Sequence, residues 1–200
     1  MIVTNINTAF VEESLCFAAL PYGVRNKIPH EVLRNLAGRE ERSHAKFLRQ
    51  MMICAVVKAP LCWWTEFDTY KVGVTRMSTS AMHIVLKHGV CDEDFVEHTE
   101  GVIERINCVR EQYMEKKIDR SDAITKIKNI LPGSYFYMSF ITMNYEVLRT
   151  MEHDRRDHKL KYWNQFLNAF KGIPYYKDFI CTQNDLAFFE RILKTWRLYN

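Results

Sequence analysis

Arg155 is the side chain of this sequence best placed to do chemistry. From Asn144 onward, Leu148, Met151, Tyr162, Phe166 and Ala169 recur at spacings that return to one face of a long helix. Arg155 falls in the middle of that stripe, with Lys159 beside it. A buried guanidinium without a partner is costly, so the position demands one. Two kinds of partner are open. One is internal: a carboxylate of the chain itself, or water reached from the edge of the stripe. The other is an anionic ligand in a cleft between subunits or domains, its phosphate or carbonyl held by the planar fork. A second group, Trp63, Trp64, Phe67 and Tyr70, offers either core or a stacking surface for a flat heterocycle. Just beyond it, Lys71 and Arg76 are placed either to contact phosphate or to face solvent.

Other chemistries lack their residues. His83 and His88, like His153 and His158, stand five apart, which does not stack two ligands on one helical face, so no metal site is expected. No GxSxG elbow, GxGxxG turn or Walker loop occurs. A net charge of +4 without a Lys/Arg block suits anionic ligands and gives no case for direct nucleic-acid binding. The six cysteines contain no CxxC pair and mostly sit in apolar contexts, the pattern of a reducing, cytosolic compartment. Residues 1–13 lack the basic and apolar regions of a signal peptide, and no apolar run approaches a membrane span. A soluble, cytoplasmic protein is expected.

The elements that must position these residues follow from periodicity and breakers. Residues 2–6 predict a strand and 9–19 a helix ended by Pro21-Tyr22-Gly23. After Pro29 comes a helix carrying Val32, Leu33 and Leu36, then another over 40–50. Residues 51–57 (MMICAVV) predict a buried strand closed by Lys58-Ala59-Pro60. Residues 72–75 read as a loop or short extended piece. Ser80 starts a helix over 81–88 that Gly89 stops, and Asp92 starts a longer one through 117. Ser121 starts the next. The aromatic run 135–142 predicts a strand, Asn144 an N-cap, and the long helix then runs to Gly172-Ile173-Pro174. Asn184 caps a last amphipathic helix with Leu186, Phe189, Ile192, Leu193 and Trp196.

The stretch from Leu131 to Lys161 also resembles a known family, the flavin-dependent thymidylate synthases (ThyX). In that family a Leu-Pro turn leads into an aromatic strand ending Thr-x-Asn, and the helix that follows carries an Arg, then an Asp and a Gln. Here Leu131-Pro132, Thr142, Asn144, Arg155 and Asp157 fall at the family spacing, and Lys161 stands where the Gln is expected. Lys58-Ala59-Pro60 matches the tripeptide before the family's signature helix, and His44 precedes an apolar strand in the same order. The resemblance covers residues 1–170. The Arg-His-Arg of the signature is replaced by Thr69, Tyr70 and Lys71, and Val74 stands at the next Ser. For the later Ser-x-Arg only Ser78, Thr79 or Ser80 is available, without the arginine, and Met138 stands at a strand position commonly held by a phosphate-binding arginine.

The resemblance implies a mostly helical α+β single domain over 1–200 with a small central sheet, the thymidylate synthase-complementing fold, residues 171–200 forming a helical extension. It implies a homotetramer with FAD and dUMP between chains, in which reduced flavin passes a hydride to a methylene group delivered by a folate. Carried over by position, Arg155 is the catalytic and substrate-binding residue. Lys71, Tyr70 and Asn144 lie on the cofactor side and Ser78 adds a substrate contact; Arg76, from its place just beyond the aromatic cluster rather than from the family pattern, adds another. The activity so implied is one-carbon transfer onto a dUMP-like pyrimidine nucleotide. The alternative is a degenerate relative, suited to a phage or mobile element, that binds a nucleotide or a partner protein without turnover.

Overall fold

The computed structural model describes residues 1–23, 28–37, 42–97 and 101–181. Four strands, β1 (Ile2–Ala9), β2 (Met52–Pro60), β3 (Val74–Ser78) and β4 (Phe136–Asn144), form one antiparallel sheet in the order β1-β2-β4-β3. β2 shows why: along MICAVVKAP, Ile53, Ala55, Val57 and Ala59 are buried while the residues between them are only half covered, the period of two that a pleated strand needs. The strand continues through Lys58-Ala59-Pro60, which was expected to close it. Tyr145 N–H donates to Met51 O at one end of the β2–β4 pair, and Leu61 N–H to Tyr135 O at the other. β3 is an edge strand.

The contacts divide the chain into two compact units, and every strand contributes to both. The first holds Met1–Ile2, Val56–Thr69 and Arg76–Phe140. Its helices are α3 (Leu61–Phe67), α4 (Ala81–His88), α5 (Val102–Met114) and α6 (Arg120–Ile130). Val85, Phe95, Ile106, Ile127 and Tyr135 meet in its core. The helix expected from Asp92 begins at Val102, residues 92–94 making only a 3₁₀ turn. Asp119, rather than Ser121, caps α6, its carboxylate accepting from Asp122 N–H at 2.8 Å.

The second unit holds Val3–Ala55, Tyr70–Thr75 and the chain from Ile141 onward. The first two of its helices are α1 (Val11–Cys16) and α2 (His30–Ala37); residues 42–49, expected as α-helix, form 3₁₀ turns kinked at Ala45. The long helix is also corrected: it is two helices, α7 (Tyr145–Arg155) and α8 (Tyr162–Ala169). From Glu152 to Lys159 no residue is apolar, so nothing across that stretch drives a helical face into the core. His158 Nδ1 accepts from Leu160 N–H at 3.1 Å inside the break. Arg155 is therefore the last residue of α7, not the middle of a stripe. A short α9 (Tyr176–Phe179) follows, and the helix expected from Asn184 lies outside the described residues. No described helix is long and apolar enough to cross a membrane. Four of the six cysteines, Cys62, Cys91, Cys108 and Cys181, are exposed, against the apolar surroundings expected of most of them.

Candidate functional site

In the second unit the structure brings Tyr70, at the start of the loop before β3, against the end of α7. Arg155 Nε donates to Tyr70 Oη at 3.0 Å. The guanidinium also lies 5.0 Å from the Trp163 ring centre and 5.7 Å from that of Tyr70. The two rings meet edge to face with centroids 5.8 Å apart. Arg155 is thus half-buried against two aromatic faces, one from the loop and one from α8. Burial pushes the Tyr70 phenol above its ordinary value and the neighbouring Asp154 pushes it further, while the Arg155 cation offsets part of that. The phenol is protonated at neutral pH, so its oxygen can accept from Arg155 while its proton is donated elsewhere.

Asn144, at the opposite end of α7 from Arg155, meets the far end of the loop at Gly73. As expected it caps α7, with Oδ1 accepting from Val147 N–H at 3.0 Å. Gly73 packs directly on it. At φ +79°, a Cβ there would stand 2.9 Å from both Asn144 Nδ2 and Val147 Cγ2, so this turn takes glycine for space as well as for conformation. Lys71, between Tyr70 and this contact, is exposed.

Arg76 and Ser78 belong to the first unit. Arg76 Nε donates to Ser139 Oγ at 3.0 Å, and Nη1 reaches the two oxygens of Asp68 at 2.9 and 2.7 Å. Its guanidinium lies 3.9 Å over Trp64. Ser78, the last residue of β3, is exposed. Trp63, Trp64 and Phe67 are fully buried and pack on one another, so within the aromatic cluster core wins over a stacking platform, and only Tyr70 is partly open.

A polar network beside Arg155 escaped the sequence reading. Glu152, with only 5% of its surface exposed, accepts from the Nε and Nη2 of Arg156 and, at 2.8 Å, from Tyr176 Oη. Arg156 Nη1 donates to Asn168 Oδ1 at 2.9 Å. The i,i+4 spacing of Glu152 and Arg156 is the sequence signal that would have found it.

No protein-family model matches the chain, and no curated protein matches it in sequence. Solved structures do. The flavin-dependent thymidylate synthase ThyX of Helicobacter pylori, complexed with FAD and dUMP, matches with a TM-score of 0.70 at 12% identity, over 90% of this chain and 98% of that one. Another structure of ThyX from Helicobacter pylori with FAD and dUMP gives 0.70 at 14% identity, over 93% and 99%. The chain has the ThyX fold. The mostly helical α+β architecture with a small central sheet, expected from the sequence, is the one found. At this identity the likeness to ThyX is one of fold.

Proposed function

We propose that the chain is a divergent ThyX-like protein that binds a pyrimidine nucleotide, with Arg155 reading it and Tyr70 fixing Arg155. The observation that carries this reading is the Tyr70–Arg155 contact within a ThyX fold. It joins the segment standing in for the family's signature to the helix arginine of the family pattern. In this reading Arg155 is both substrate-binding and catalytic, Ser78 and Arg76 add substrate contacts, and the protein is a cytoplasmic homo-oligomer.

FAD is the cofactor this reading carries. Exposed Lys71 is a counter-charge for its diphosphate, half-open Tyr70 a ring edge, and Asn144 a nearby amide; the buried Trp63 and Trp64 cannot stack on it. When bound, reduced flavin would supply the hydride for one-carbon transfer onto a dUMP-like nucleotide.

A second reading, a nucleotide-binding module without turnover, is favoured by one observation. Thr69, Tyr70 and Lys71 replace Arg-His-Arg, and the next cation, Arg76, is engaged internally by Asp68 and Ser139. The absorbance spectrum and a thermal-shift series with FAD and dUMP separate the two. A yellow protein stabilised by both supports the enzyme, and a colourless one stabilised by dUMP alone supports the module. Stabilisation by neither overturns both.

A further inference from the structure

The Asp68–Arg76 pair of the first unit has the build of an anion site closed by an occupant of the chain's own. The guanidinium of Arg76 is set by buried groups. It lies 3.9 Å over the Trp64 ring, and Trp64 is itself held by its indole N–H, 3.1 Å from Ala59 O and 3.2 Å from Tyr137 O. Arg76 Nε donates at 3.0 Å to Ser139 Oγ, on a residue only 1% exposed. Plane and position of the fork are thus fixed before any ligand arrives. On the solvent side the arrangement is different. Nη1 alone serves both Asp68 oxygens, and Nη2 has no hydrogen-bond partner among the described residues. The side chain of Arg76 is 17% exposed and that of Asp68 54%. A preorganised, mostly buried cation is capped by a carboxylate that water already reaches, at the residue just after α3.

We propose that Arg76 is a phosphate-binding position and that Asp68 is its internal stand-in, displaced when a phosphate group arrives. A buried arginine needs an anion at all times, and Asp68 supplies one in the empty state. A phosphate brings more charge and can engage both Nη1 and Nη2, the geometry an arginine fork favours. Because water already reaches more than half of the Asp68 side chain, its pairing is screened, and displacing it costs an incoming anion only about two- to fivefold in affinity. That the phosphate belongs to a nucleotide rests on the function proposed above; the exchange at Arg76 does not.

The test compares the full chain with Asp68→Asn, alone and combined with Arg76→Gln, by calorimetric titration with dUMP, deoxyuridine and inorganic phosphate. Asp68→Asn is expected to bind dUMP about two- to fivefold more tightly than the wild type and deoxyuridine no more tightly. Adding Arg76→Gln should abolish the gain. Should Asp68→Asn fail to fold, Asp68→Ser removes the same charge with a smaller side chain. A wild type that binds dUMP beside an Asp68 variant that binds it no more tightly overturns the exchange. So does a gain that extends to deoxyuridine or survives Arg76→Gln. If neither protein binds dUMP while Asp68→Asn gains affinity for inorganic phosphate, the exchange stands and the nucleotide reading falls.

Discussion

The Nε of Arg155 and the Oη of Tyr70, from residues 85 apart in sequence, meet at 3.0 Å, and that bond ties the loop before β3 to the end of α7. It fixes which way the guanidinium faces, since the Trp163 and Tyr70 rings restrict it further. Tyr70→Phe keeps the ring and removes the acceptor. It should cost about 1 kcal/mol of stability, the worth of a hydrogen bond to a charged group discounted for partial exposure. It should also weaken dUMP binding severalfold. Urea denaturation and calorimetric titration of the same variant check the two effects, and unchanged affinity would detach Tyr70 from the site.

Arg155→Ala should leave a folded chain with its nucleotide binding lost or strongly reduced. Far-ultraviolet circular dichroism read beside a dUMP titration decides. A variant that unfolds instead would make Arg155 a structural residue.

Gly73→Ala places a methyl group 2.9 Å from Asn144 Nδ2 and Val147 Cγ2, on a backbone at φ +79°. The strain should cost about 1–3 kcal/mol and disturb the cap of α7. Chemical denaturation measures the loss. A near-neutral result would show that the turn relaxes without its glycine.

Glu152→Ala should be among the most destabilising single changes. It leaves Arg156 and Tyr176 without the buried carboxylate they share, for an expected loss of about 3–5 kcal/mol. A thermal melt that moves by only a degree or two would contradict it.

Alkaline pH should unfold the protein through its tyrosines. Burial, with Asp94 adding to it, pushes the Tyr135 phenol up to about 12. Burial likewise raises Tyr145 and Tyr176 well above the ordinary value of 10.0. The folded chain therefore holds these protons more tightly than the unfolded one does. Their contribution is whole below about pH 10 and is lost as pH climbs through the folded values, at up to about 1.4 kcal/mol per pH unit for each phenol. Stability should fall steeply between pH 10 and about 12. Phenolate absorbance from these three residues should appear only together with unfolding.

What could be read in advance was local. The Leu131-Pro132 turn, the aromatic strand and the Asn144 cap depend on residues within a few positions of one another, and each stands where expected. The break between α7 and α8 was hidden because neither proline nor glycine marks it; a run of polar residues and the grip of Arg156 on Glu152 and Asn168 make it. The tryptophans were ambiguous for another reason. The spacing of Trp63 and Trp64 suits a core and a platform equally, and only packing decides that both are buried and that Trp64 lies under Arg76. The bond of Arg155 to Tyr70 could not be read at all, because a phenol 85 residues away leaves no periodic trace.

The early end of α7 also sets the field at Arg155. In one unbroken helix the guanidinium would sit at a midpoint where peptide dipoles cancel. In the last turn of α7 the aligned dipoles amount to about half a negative charge, worth roughly 0.3–1 kcal/mol to a cation there. Part of the positive potential is thus spent before a ligand approaches. A dianion gains less there than the formal charge suggests, whereas a neutral carbonyl, drawn by directed N–H groups rather than by net charge, gives up little. The backbone itself tilts this arginine toward the uncharged end of whatever it meets.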